Sequence, residues 1–322
     1  MELFRTIEGL PSLARGGAVA IGNFDGVHHG HAKIISTLKQ RATEAGGPSV
    51  VFTFDPHPVR LLRPDECPPP LTWTSRKAEL LQALQVDCMI AYPTDEALLR
   101  LSARQFFEQI VRGSLDARAM VEGPNFYFGR GREGTIDVLR TFTDEVGMSL
   151  DIVEPVKAKD IIPGTDEGLV SSSRIRQLIQ QAGHVGRARQ MLTAPYRLRG
   201  MVTHGAGRGV KIGFPTANLA GIDTLLPAHG VYCGIAIIDT VHKPAAIHIG
   251  PNPTFGDQTS KVEVYVIGQQ DPLYGKAIEI DFLDRLRDVK HFDTPAKLVS
   301  QLERDVAEAE EVGCCYIDTF RH

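Results

Sequence analysis

The sequence predicts two architectures in one chain: an α/β domain built on a parallel sheet, then an antiparallel β-barrel domain followed by a C-terminal helix. Strands alternating with helical patterns across residues 15–183 predict the first, because parallel strands need helical crossovers. Five short β runs separated by turn residues between 196 and 283 predict the second. The third observation is an amphipathic run over Thr294–Glu311, with Thr294 as N-cap, Pro295 at N1, and Leu298, Leu302 and Val306 on one side. The change of pattern falls in a linker at 184–195, giving expected domains over 1–183 and 196–322.

Composition narrows the functional classes. The 322 residues suffice for two ordinary domains, and 43% hydrophobic with 23% charged residues is the composition of a soluble globular protein. A formal net charge of −4 gives no basic footprint, which argues against a nucleic-acid partner. No apolar run approaches the roughly 20 residues of a membrane helix, and Met1-Glu2-Leu3-Phe4-Arg5 lacks a signal-peptide pattern, so no membrane partner is expected. The five cysteines (67, 88, 233, 314 and 315) show neither CxxC nor zinc spacing, and adjacent Cys314 and Cys315 strain any mutual disulfide. Reduced thiols in a cytoplasmic protein are expected.

In the first half, Ala18–Ile21 reads as a strand running into Gly22-Asn23-Phe24-Asp25-Gly26-Val27-His28-His29-Gly30-His31, after which Ala32, Ile34, Ile35 and Leu38 mark a helix. Strand, glycine turn and helix start together offer free N–H groups to a phosphate at the carboxyl edge of a sheet. His28 and His31, three apart, share a helix face and suit the oxygens of a nucleoside triphosphate. Pro48–Phe54 is a buried strand ending at Asp55-Pro56-His57-Pro58. Thr74 or Ser75 caps a helix over Lys77–Leu84, Val86–Ala91 is a strand, and Ser102 caps a helix to Val111. Ala117–Glu122 is a strand ending at a glycine-bearing loop with Asn125. Ser171, Ser172 and Ser173 precede or open the helical pattern of Leu178, Ile179 and Ala182, where hydroxyls and free N–H groups suit a phosphate and Arg176 a pyrophosphate. No Walker A string is present.

The second half has β runs at Tyr196–Thr203, Gly230–Ile238, Ala245–Ile249, Lys261–Ile267 and Lys276–Leu283. Its chemistry concentrates in Gly205–Asn218, where Gly207, Arg208, Gly209 and Lys211 can wrap phosphates. Thr216 and Asn218 supply neutral oxygen ligands two residues apart, which suit Mg²⁺ beside ATP. In Val262–Ile267, Glu263 and Tyr265 share the face opposite Val262, Val264 and Val266.

The extended string G-N-F-D-G-V-H-x-G-H resembles the HxGH nucleotidyltransferases, and more narrowly the prokaryotic bifunctional riboflavin kinase/FAD synthetase family. T-F-D-P-H-P, the serine string (S-S-T-x-x-R in the family, with Ser173 third here) and G-F-P-T-A-N also match. The resemblance implies a Rossmann-like HxGH domain that adenylylates FMN with ATP to give FAD and pyrophosphate. Its site is expected to comprise Gly22, Asn23, Phe24, Asp25, Gly26, His28, His31, Asn125, Ser171, Ser172, Ser173 and Arg176. It also implies a barrel that phosphorylates riboflavin with ATP to give FMN and ADP. There Glu263 accepts the ribityl hydroxyl proton, Thr216 and Asn218 hold Mg²⁺, and Asn252 and Arg287 contact flavin. The chain carries Tyr265 where family members usually have His and Val210 where many have Arg. Two other readings are a flavin-binding or sensing protein with one degenerate site, and an HxGH enzyme acting on another phosphorylated substrate.

Overall fold

In the computed structural model, all residues are described except 165–166, 206, 253–256 and 320–322, and side chains are not described at Arg208, Asn252 and 257–259. Six short, apolar-rich strands form the first sheet: β1 (Glu2–Phe4), β2 (Ala18–Ile21), β3 (Ser49–Phe54), β4 (Cys88–Tyr92), β5 (Ala119–Glu122) and β6 (Ser149–Ile152). The strands are parallel in the order β1-β4-β3-β2-β5-β6. β2, β4 and β5 are buried over nearly their whole length, as central parallel strands must be. The chain leaves β2 for β3 on one side while β5 lies on the other, so the strand order reverses beside β2. The crevice outside the carboxyl ends of β2 and β5 is therefore the switch point at which open α/β sheets bind ligands. The helix His29–Ala45 packs over β2, β3 and β5 and begins at that crevice.

Local differences from expectation have physical causes. The helix expected over Lys77–Leu84 starts at Thr74, with Trp73 at the N-cap, because the Thr74 hydroxyl is spent on Asp55 Oδ2 at 2.7 Å. Ser102 does cap its helix, in a reciprocal box with Gln105, but the helix widens into a π-helix over Phe107–Ser114. The helix Ile136–Val146, strands β1 and β6, and a strand over Ala217–Ala220 lie outside the expected elements.

The second unit contains β7 (Tyr196–Thr203), β8 (Ala217–Ala220), β9 (Gly230–Ile238), β10 (Val241–Asn252), β11 (Asp257–Val266) and β12 (Ala277–Arg287). They close an antiparallel barrel in the order β10-β11-β8-β7-β12-β9. β10 begins upstream of the expected Ala245 because Pro244 sits inside it, and a proline in a run reads as a strand end. The helix Pro295–Asp318, capped by Thr294 with Pro295 at N1, lays Ala309, Val312 and Tyr316 over Cys233, Ile235 and Ala246 on the barrel's outside.

By packing, the chain divides at Ser171/Ser172, upstream of the segment 184–195 in which the sequence places the boundary. The helices Ser172–Ala182 and Val185–Met191 pack on each other, and Ala228 N–H donates to Ile179 O at 3.0 Å, which ties them to the barrel unit. Pro69–Leu71 joins the same unit, with the Pro70 carbonyl accepting from Leu225 N–H at 2.9 Å.

Candidate active sites

At the head of the helix His29–Ala45, two histidines cap the backbone reciprocally. His28 is the N-cap residue: its Nδ1 accepts from His31 N–H at 3.3 Å, and His31 Nδ1 accepts from His28 N–H at 3.3 Å. A nitrogen that accepts cannot carry a proton, so both rings are fixed with hydrogen on Nε2. The rings stack with centroids 3.7 Å apart and planes 14° apart, and the Phe24 ring lies 5.0 Å from His31. Burial lowers the His28 pKa to about 4, with Asp25 opposing and His29 adding to the fall. Burial, then His28 and Lys77, hold the His31 pKa well below the ordinary value. The pair is therefore neutral near pH 7, and what it can offer an anion is two Nε2–H donors rather than a charge. The backbone of Gly30 runs beneath the His28 ring, and a Cβ there would lie 3.1 Å from it.

The residues leading into the helix hold the turn. Phe24 and Val27 are buried at φ 45° and 39°, a strained backbone that side chains rarely adopt. Asp25 is buried, its Oδ1 accepting from Thr72 N–H and Oγ1–H at 3.0 Å each, while Gly26 N–H donates to Thr72 Oγ1. This carboxylate shapes the turn through Thr72. Gly22 N–H remains in the sheet ladder, bonded to Phe52 O. Asn23 presents a buried Oδ1 with no partner among the described residues. Asn125 is exposed just beyond β5, in a turn closed by Phe126 N–H to Gly123 O at 3.1 Å. His57 caps the short helix Pro58–Leu62.

The structure adds two buried groups to the residues expected here. Lys77 Nζ donates to Asn23 O at 2.5 Å and to Thr53 Oγ1 at 3.3 Å, linking the turn to the end of β3. Burial lowers its pKa against the pull of Asp25 and Asp55. The signal was present: Lys77 shares a helix face with Leu80, Leu81 and Leu84, an unusual place for an ammonium. Glu122, 3% exposed, ends β5 and accepts from Ile21 N–H through Oε1 at 2.9 Å, in place of a ladder bond between β2 and β5. Burial raises its pKa well above the usual carboxylate range, with Ile21 N–H opposing.

Ser171 closes the first unit; Ser172 and Ser173 open the helix Ser172–Ala182 of the second. Arg176, on that helix, donates from Nε to Pro69 O at 3.0 Å.

In the barrel, register places the expected chemistry in one row. Ile247, Ile249, Val262 and Val264 are buried in the interior, so alternation puts His248 and Glu263 on the outer face; Ala217 and Leu219 do the same for Asn218. Asn218 pairs with Glu263 across β8 and β11, and Glu263 with His248 across β11 and β10. A cavity of about 150 Å³ opens on this row, lined among others by Gly209, Thr216, Asn218, His248, Glu263 and Leu302 of the C-terminal helix. Gly207, at φ 64°, starts the short helix Arg208–Lys211 and also borders the cavity, whereas Lys211 is exposed. Gly209 has no room for a Cβ, which would collide with the Phe214 carbonyl. Tyr265 packs edge-on against Phe214 at 5.5 Å, bracing the glycine loop. Arg287 is already engaged: Nε and Nη2 grip Asp305 at 2.6–3.1 Å and Nη1 donates to Asp288 O at 2.9 Å. That leaves it a wall of the cavity held by the C-terminal helix. The side chains of Arg208 and Asn252, expected at phosphate and flavin, lie outside the described residues. Among the described residues, no cluster of three His, Cys, Asp or Glu could hold a metal. The barrel's oxygen donors are instead the neutral Thr216 and Asn218 beside one carboxylate, a set that fits a hard cation sharing its shell with phosphates and water.

Comparison with known proteins matches the chain in two parts. Residues 10–165 match the family model for FAD synthetase and residues 192–313 that for riboflavin kinase. A bifunctional riboflavin kinase/FMN adenylyltransferase of Pseudomonas fluorescens is 32% identical over 97% of this chain and 98% of its own. Its Bacillus subtilis counterpart is 34% identical over 90% of each. A crystal structure described as a macrolide-efflux protein from Streptococcus pneumoniae superposes with a TM-score of 0.82 at 29% identity, covering 96% of this chain and 98% of that one. Among the described residues of this chain, no helix is long and apolar enough to cross a membrane.

Proposed function

Because the chain belongs to the bifunctional riboflavin kinase/FMN adenylyltransferase family, we propose that it makes FAD from riboflavin in two steps, one in each unit. The barrel converts riboflavin and ATP to FMN and ADP; the α/β unit converts FMN and a second ATP to FAD and pyrophosphate. The observation that carries the reading is the sorting of two chemically distinct sites onto two units. One holds a carboxylate beside two neutral oxygen donors and a glycine loop; the other holds a neutral imidazole pair at a helix head.

In the kinase step Glu263 takes the proton of the ribityl 5′-hydroxyl as its oxygen bonds to the γ-phosphorus and ADP leaves. Thr216 and Asn218 would hold Mg²⁺, which when bound with ATP would offset phosphate charge. The glycine loop supplies backbone N–H groups to the phosphates.

In the adenylyl step an FMN phosphate oxygen attacks the α-phosphorus and pyrophosphate departs. The Nε2–H groups of His28 and His31 donate to oxygens on which charge builds, and neutral rings keep those donors at every pH near 7. Lys77 holds the Asn23 carbonyl, and so the turn, in place. The reaction partners are small molecules, and five cysteines without a disulfide fit a reducing, cytoplasmic setting.

Glu263→Gln tests the division of labour. Its rate of FMN formation is expected to fall roughly 10²–10⁴-fold, while supplied FMN is still converted to FAD at the unaltered rate. Retained kinase turnover would remove Glu263 from the role of base.

A further inference from the structure

The row on the barrel's outer face does not end at Glu263. On the side away from Asn218 the next residue in register is His248, paired with Glu263 across β10 and β11. Directly opposed side chains of an antiparallel pair stand with Cβ atoms about 4.5–5.5 Å apart, so the imidazole flanks the carboxylate. Both residues line the same cavity. A carbonyl only accepts, so the 3.2 Å contact between His248 Nε2 and Pro251 O places the ring hydrogen on Nε2 and ties the ring to the end of β10. The electrostatics agree with this proximity: burial lowers the His248 pKa, and the Glu263 charge is the largest influence opposing that fall, with the carbonyls of Pro251 and Gly250 assisting and Arg287 working against it.

We infer that His248 is a positioning residue for phosphoryl transfer, acting through Glu263. The inference rests on the kinase reading of the barrel. Asn218 stands on one flank of the carboxylate and the tethered ring on the other, so Glu263 keeps the orientation in which it can receive the hydroxyl proton. Without the ring the carboxylate gains room to rotate away, and displacements of about 1 Å at a reacting group cost on the order of 10²-fold in rate. Tyr265 does not supply this wall: it lies two residues along β11, braced on Phe214, opposite Ala246.

The test is a double-mutant cycle on the full chain, with FMN formation and FAD formation measured separately. His248→Ala is expected to lower kcat for riboflavin phosphorylation by roughly 10–100-fold with KM for ATP and riboflavin within about twofold. His248→Gln, which keeps an N–H donor for Pro251 and much of the bulk, is expected to recover most of that loss. In a Glu263→Gln background His248→Ala should change the residual rate little, because its effect passes through the carboxylate. FAD formation from supplied FMN reports on the rest of the chain and should be unchanged in each variant. Unaltered kcat in His248→Ala, an equal loss with His248→Gln, or an undiminished loss in the Glu263→Gln background would each overturn the inference while the kinase reading stands. A wild-type protein that leaves riboflavin untouched would overturn the kinase reading, and this inference with it.

Discussion

Replacing His28 separates the two tasks the structure gives that ring. As N-cap it accepts His31 N–H through Nδ1, and as half of a stacked pair it carries a second ring nitrogen, Nε2–H. His28→Ala removes both, along with packing in a site where His28 is 7% exposed. The lost cap costs about 1 kcal/mol and the lost stacking about another, together roughly 4–8 °C in the melting of a unit of this size. His28→Asn keeps a first-rank cap residue and forfeits only the stack and the distal donor, so its stability loss is expected to be about half. The rate should not follow the stability. Removing one preorganised donor to a developing oxyanion costs about 10²–10³-fold, so both variants should lose FAD formation to a similar extent. The assay is FMN-to-FAD turnover by chromatography beside a thermal melt, with riboflavin phosphorylation in the same samples as an internal control. If His28→Asn turned over FMN at the wild-type rate, the pair would be a cap and nothing more, and the reasoning would be refuted.

Two further outcomes follow from buried charge. Asp305→Ala strands the Arg287 guanidinium, 13% exposed, beneath the C-terminal helix; breaking such a pair is expected to cost about 3 kcal/mol, and an unchanged barrel melting temperature would contradict it. Acid should weaken the α/β unit through its histidines: the His28 pKa falls from 6.5 to about 4 on folding, so the unfolded chain binds more protons across that window. Stability therefore declines as pH drops from about 6.5 toward 4, by on the order of 3 kcal/mol for this ring. Glu122, raised on folding, acts in the opposite direction, so the measured quantity is the difference in pH slope of urea midpoints between wild type and His28→Asn. Equal slopes would show that His28 titrates normally.

Much of this was legible because it is local. The glycine turn after β2, the serine cap at Ser102 and the Thr294-Pro295 start of the last helix are short-range signals, and the structure realises each. Glu263 and Asn218 were singled out from strings 45 positions apart, and their pairing across β8 and β11 could not be read from either. The same holds for His248, an unremarked residue of a barrel strand until register put it opposite Glu263. Glu122 is not legible because it closes a hydrogen bond with a distant backbone atom, which no periodicity encodes, whereas Lys77 shows in the sequence only as an ammonium on an apolar helix face, without its partners. The reciprocal histidine cap is a different case: His is not a usual cap residue, so the reading assigned both rings to ligand and neither to the backbone. The helix Ile136–Val146 is legible in the sequence, since Thr135 caps it, Gly147 ends it in the left-handed region, and Leu139 and Phe142 mark its buried face.

The two-step synthesis of FAD is tested by incubating the purified full chain with riboflavin, ATP and Mg²⁺ and resolving riboflavin, FMN and FAD over time. FMN is expected to rise first and then give way to FAD, with ADP and pyrophosphate released in the matching steps. Bound but chemically unchanged riboflavin, with supplied FMN equally inert, would contradict it.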